Sequence, residues 1–135
     1  MRKGLLILSV FVLLALAAAP DAPGQKKQRV NFKPGAVQTT ISGKLNNYKD
    51  RKVYVVKVRK GQTLNTEQIK SDASTHYVSV EITSPAGKDV SDSDASCNDV
   101  KEVGPTVAGD YRITVYECQK ADAWRGSFKL RISVK

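Results

Sequence analysis

The residue types able to do chemistry in this 135-residue chain are few, and they fall into three groups. Cys97 and Cys118 are the only cysteines. An even count in a small exported domain reads as a disulfide, whereas a redox or nucleophilic thiol would need a CxxC pair or a partnered histidine, and neither is present. Asp89, Asp92, Asp94 and Asp99 offer hard oxygen ligands. A calcium loop opened at Asp92, however, puts Cys97 where the turn needs glycine and Val103 where it needs the bidentate glutamate. No metal and no cofactor is expected. His76, the single histidine, stands among Ser and Thr with no recognisable partner. No G-x-S-x-G, H-E-x-x-H or P-loop spacing occurs, so the chain reads as a binding protein, not an enzyme. The third group is Trp124 with Arg125, inside "ECQKADAWRGSFKL". Trp and Arg are the residue types most enriched at binding hot spots, so a displayed pair would mark a contact surface. Alternatively, Trp124 folds back as a plug over the end of the domain, its indole N–H finding a carbonyl.

The elements that must position these groups are short alternating strands. Tyr54, Val56 and Val58 share one face, with Lys57 and Arg59 on the other. Val78, Val80 and Ile82 alternate with Ser79, Glu81 and Thr83. Tyr111, Ile113 and Val115 alternate with Arg112 and Thr114, and Phe128, Leu130, Ile132 and Val134 alternate with Lys129, Arg131, Ser133 and Lys135. Further strands are expected at Arg29 to Lys33 and Ala36 to Leu45, with a short one near Thr106. Thr63 to Ile69 is the weakest candidate, and a helical turn around Asn65 to Lys70 competes with it. The fold class expected is all-β: an antiparallel sandwich of seven to eight short strands, jelly-roll-like, with one disulfide. Gln119 to Ser127 then connects the last two strands and carries Trp124 and Arg125, with Gly126 near its end.

The N-terminus has a separate destiny. Arg2 and Lys3 precede an apolar run from Leu5 to Leu16 and then small residues, the layout of a secretory signal peptide over 1–19. Ala15-Leu16-Ala17 and Ala17-Ala18-Ala19 both offer a cleavage signal, after Ala17 or Ala19. Residues 20–28 read as a flexible basic lead-in and 29–135 as one domain, the roughly 115 mature residues having room for a single core. Periplasmic or secreted localisation follows, with no membrane attachment after cleavage. Lys and Arg number 22 against 13 Asp and Glu; losing Arg2 and Lys3 leaves 20, a net charge near +7 that favours acidic partners. Nucleic acid is not among them, because the basic residues are scattered along the chain without a nucleic-acid-binding motif.

Two stretches, "VNFKPGAVQTTISGKLNNYKDRKVYVVKVRKGQTL" and "GDYRITVYECQKADAWRGSFKLRISV", resemble the small secreted β-sandwiches related to the pre-peptidase C-terminal domain, and among these the periplasmic inhibitors of g-type lysozyme. The resemblance lies in the first hairpin with Gly43 and Tyr48, the Lys60-Gly61-Gln62-Thr63 turn, Gly109-Asp110-Tyr111 and the final hairpin; residues 66–104 match poorly. It implies a partner, g-type lysozyme, and a mode of action. In that family a tyrosine after the first hairpin and two arginines in an R-x-x-x-R arrangement of the last loop enter the enzyme's substrate cleft. Here the tyrosine falls on Tyr48 and the loop's Asp-Ala pair on Asp122-Ala123. The first arginine is replaced by Lys120 and the second by Trp124, with Arg125 one place later. Lysine lacks the bidentate fork with which arginine grips a carboxylate, so this chain departs from the pattern at both basic positions. A non-enzymatic module of the same fold, contacting cell-wall glycan or another exported protein, is the alternative.

Overall fold

The structure is a computed structural model that describes residues 25–70, 77–91, 97, 100–118 and 125–135. Eight strands follow one another along the chain: β1 (Lys27–Arg29), β2 (Gln38–Leu45), β3 (Lys52–Val58), β4 (Leu64–Gln68), β5 (Val78–Thr83), β6 (Val100–Val103), β7 (Gly109–Glu117) and β8 (Gly126–Val134). They form two four-stranded sheets, ordered β1-β3-β7-β5 and β2-β8-β4-β6, so the molecule is the all-β sandwich that the alternating pattern predicts. Every pairing is antiparallel except that of β1, which runs parallel to β3 with Lys27 opposite Val53 and Arg29 opposite Val55.

The period-two pattern translates directly into burial. Along β7, Tyr111, Ile113 and Val115 point inward, and along β8 Phe128, Leu130, Ile132 and Val134 do the same. They meet Tyr54, Val56 and Val58 of β3, Val78, Val80 and Ile82 of β5, and Leu45 and Leu64 from the ends of β2 and β4. Each buried aliphatic side chain contributes about 1.5–3 kcal/mol, so this shared face outweighs the roughly 3 kcal/mol that one disulfide adds. Tyr54 and Phe128 meet edge to face across the sheets, centroids 6.4 Å apart at 84°.

Three local expectations are corrected. The first strand lies at Lys27–Arg29 instead of 29–33, which brings the last two residues of the expected lead-in into the sheet. Residues 65–68 form strand, not helix, because β4 is held between β6 and β8, and tertiary pairing overrides the weak local preference of "LNTEQ". The short strand expected near Thr106 is instead β6 at Val100–Val103. Thr106 sits in the connection that follows, its hydroxyl donating to the Arg59 carbonyl at 2.7 Å and its N–H to the Gln62 carbonyl at 2.8 Å. The signal peptide and its cleavage points lie outside the described residues.

Candidate functional site

One end of the sandwich is built by the turn between β2 and β3 and by the start of β8. In the turn, the Asn47 side-chain carbonyl accepts the Lys49 N–H at 2.9 Å and the Asn47 main-chain carbonyl accepts the Asp50 N–H at 3.0 Å, the local bonding that makes asparagine a turn residue. One Asp50 carboxylate oxygen accepts both the N–H and the side-chain amide of Asn46 at 3.0 Å, and lies 3.4 Å from the Lys52 ammonium. Partial burial works against the charged form of Asp50, yet the Asn46 hydrogen bonds and the Lys52 charge together hold its carboxyl below the ordinary carboxylate range. Arg51 donates to the carbonyl of Asp50 at 3.0 Å and, more loosely, to that of Tyr48 at 3.3 Å. Its guanidinium lies 4.3 Å over the Tyr116 ring. Tyr48, half-buried, is thus carried at the tip of a turn tied by five polar side chains, those of Asn46, Asn47, Asp50, Arg51 and Lys52.

Strand pairing sets the second component. Leu45 faces Gly126 in the β2–β8 ladder, so Asn46, which opens the Tyr48 turn, and Arg125 each lie one residue beyond the same pair. Arg125 is exposed. At the end of β7, Cys118 is buried and disulfide-bonded to Cys97 with Cα atoms 4.9 Å apart, within the range such a bond requires. The Cys97 N–H donates to the Ser79 hydroxyl at 3.1 Å, which pins this segment against β5. The structure therefore brings Tyr48 and Arg125 to one end of the sandwich. Lys120, Asp122 and Trp124 lie outside the described residues, as do His76, Asp92, Asp94 and Asp99. Asp89 accepts from the N–H and hydroxyl of Ser91 at 2.9 and 2.6 Å, and no cluster of three metal-ligating side chains occurs among the described residues.

A feature that sequence reasoning missed lies on the flank next to this turn. Lys26, Lys27 and Arg29 line one wall of a groove of about 880 Å³ whose other wall includes Lys49, Arg51 and Lys52. The basic residues, scattered along the chain, are gathered here in space. The parallel β1–β3 pairing contributes to this: Lys27 lies opposite Val53, so Lys26 and Lys52 each lie one residue before the same pair, although β2 and its flanking loops separate them along the chain. The two short runs "KKQR" and "KDRK" are the only signal the sequence holds; nothing local says that they meet. The groove floor holds Gly43 and Tyr54. Burial pushes the Tyr54 phenol above its ordinary value, so it stays a protonated hydrogen-bond donor. Arg29 is held by Asp110 through two parallel bonds of 2.7 and 2.8 Å, which fastens β1 to the start of β7.

The same sandwich occurs in solved structures. PliG, a periplasmic lysozyme inhibitor of g-type lysozyme from Aeromonas hydrophila, superposes with a TM-score of 0.63 over 81% of this chain and 96% of its own, at 18% identity. PliG from Salmonella Typhimurium gives 0.58 over 83% of this chain and 100% of its own, at 20% identity. The pre-peptidase C-terminal domain of collagenase from Bacillus anthracis gives 0.52 over 85% and 100%, at 15% identity. The chain shares their fold. Neither a protein-family model nor a curated protein sequence matches it.

Proposed function

We propose that this protein is an exported inhibitor of g-type lysozyme, acting without catalysis from the end of the sandwich that carries Tyr48 and Arg125. The observation that carries the proposal is the fold shared with two PliG inhibitors over more than four fifths of the chain, combined with the placement of Tyr48 and Arg125 at one end. A turn stiffened by Asp50, Asn46, Asn47 and Arg51 loses little freedom on docking, which lowers the cost of binding. A half-buried tyrosine at the tip of a turn and an exposed guanidinium suit a muramidase cleft lined by carboxylates; filling it excludes peptidoglycan. The Cys97–Cys118 bond fits an oxidising compartment, periplasmic or extracellular.

The test is the rate at which g-type lysozyme degrades peptidoglycan with the protein in molar excess, with a c-type lysozyme as the control. Strong loss of g-type activity supports the reading, and full retention of that activity overturns it. A second reading, a non-enzymatic binding module for cell-wall glycan or another exported protein, is favoured by the likeness to the collagenase domain, since the sandwich also exists outside the inhibitors. Retention on immobilised peptidoglycan with no effect on any lysozyme would select it.

A further inference from the structure

The end of the sandwich opposite the Tyr48 turn is assembled from connections far apart in the chain. Gln38 pairs with Ser133, Leu64 with both Val134 and Val103, Val58 with Gly109, and Thr83 with Arg112. This register brings residues 31–37, 59–63, 84–88 and 104–108 to the same end. Hydrogen bonds tie several of them together: the Gly61 N–H donates to the Thr106 carbonyl and the Thr106 N–H to the Gln62 carbonyl, each at 2.8 Å. The Val134 N–H donates to the Val37 carbonyl at 2.8 Å, and the Val107 N–H to the Tyr111 hydroxyl at 3.1 Å. Pro85 packs so closely on Gly109 that a Cβ there would stand 2.7 Å from the proline ring.

These four connections carry Lys33, Arg59, Lys60 and Lys88 and no Asp or Glu. All four cations are exposed, and none of their side chains has an ion pair or hydrogen bond among the described residues. The carboxylates that flank this end are engaged elsewhere: Asp89 by Ser91, Asp110 by Arg29, and Glu102 by Asn65. Between the cations stand exposed apolar side chains, those of Pro34, Val37, Pro85, Pro105 and Val107, with Val37 50% and Val107 57% exposed. From this combination we infer that the end adsorbs to an anionic lipid bilayer. Apolar tips enter the boundary between headgroups and acyl chains while the cations stay at the level of the headgroups. An acidic protein is the poorer match, because protein interfaces are anchored by aromatic side chains and the one aromatic in these connections, Phe32, packs against the core. Such adsorption is peripheral, needs neither anchor nor span, and is announced by no single connection in the sequence. It leaves Tyr48 and Arg125, at the other end, facing solvent.

The experiment is co-sedimentation with mixed phosphatidylglycerol–phosphatidylcholine vesicles, with pure phosphatidylcholine vesicles as reference and polyglutamate as a soluble polyanion. The protein should bind the anionic vesicles about ten-fold or more tightly than the neutral ones, and binding should weaken as salt is raised. Each Lys near an anionic surface strengthens binding about five-fold, so Lys33→Gln/Lys60→Gln should bind about ten-fold or more weakly with an unchanged Tm, both side chains being exposed. Val37→Ser/Val107→Ser keeps the charge and should weaken vesicle binding about five-fold. Lys26→Gln/Lys49→Gln removes the same charge from exposed positions towards the Tyr48 end and should change binding by less than about two-fold. No binding to anionic vesicles, or equal losses in the two lysine double variants, overturns the inference. Tight binding of polyglutamate with no effect of Val37→Ser/Val107→Ser on the vesicles also overturns it, and assigns the surface to an acidic macromolecule. Lysozyme activity plays no part in these readouts, so they stand or fall apart from the inhibitor proposal.

Discussion

Replacing Gly43 by alanine tests the packing between the two sheets where the groove and the core meet. The added Cβ would press on the Phe128 ring and stand 2.6 Å from the Tyr54 hydroxyl. Both aromatics are 3% exposed and lock each other edge to face, so neither can swing away without opening the core. Overpacking of this kind costs about 1–3 kcal/mol. The loss of glycine's freedom in the unfolded chain offsets about 0.4–1 kcal/mol of that. Taking the middle of each range, a net loss of about 1.3 kcal/mol remains, which for a domain of roughly 110 residues lowers Tm by roughly 5–10 °C. Thermal or urea unfolding with the disulfide intact measures it. Adding Tyr54→Phe removes one of the two obstructions and leaves the Phe128 ring, so the double variant should recover part of the loss, with a coupling of about 0.5 kcal/mol or more. An unchanged or raised Tm in Gly43→Ala would refute the close approach of β2 to β3 and β8 on which this reasoning rests.

Three further outcomes are expected. Arg125→Ala, at an exposed position beside the Tyr48 turn, should weaken inhibition of g-type lysozyme about ten-fold or more while leaving Tm unchanged; a fall in Tm would instead assign Arg125 to packing. Thr66, fully buried in the middle of β4, has a hydroxyl without a hydrogen-bond partner among the described residues, so Thr66→Val should raise stability by about 1 kcal/mol in urea denaturation, and a loss would point to a polar partner. The Asp50 carboxyl, held below its ordinary value in the folded state, contributes stability that is complete above the ordinary carboxylate range and disappears as pH falls through the lowered value. Comparing Tm at successive pH values from about 7 down to 2, Asp50→Asn should be less stable than the parent at neutral pH, and the difference should narrow as acid protonates the parent's carboxyl; a constant difference would contradict the linkage.

The alternation of Tyr111 to Val115 and Phe128 to Val134 was enough to assign a two-sheet all-β sandwich, because a period of two leaves one apolar face that only a second sheet can cover. The pairing of Cys97 with Cys118 was equally legible, being the sole combination two cysteines allow. Where local propensity was weak, neighbours decided: "LNTEQ" is strand because β6 and β8 flank it. The meeting of Tyr48 with the start of β8 needed the Leu45–Gly126 register, a contact between residues 81 positions apart. The groove is the clearest case of all. Its charges were plain in "KKQR" and "KDRK", but a parallel ladder joins segments that have no short connection, and no periodicity within either run encodes which strand the other will lie against.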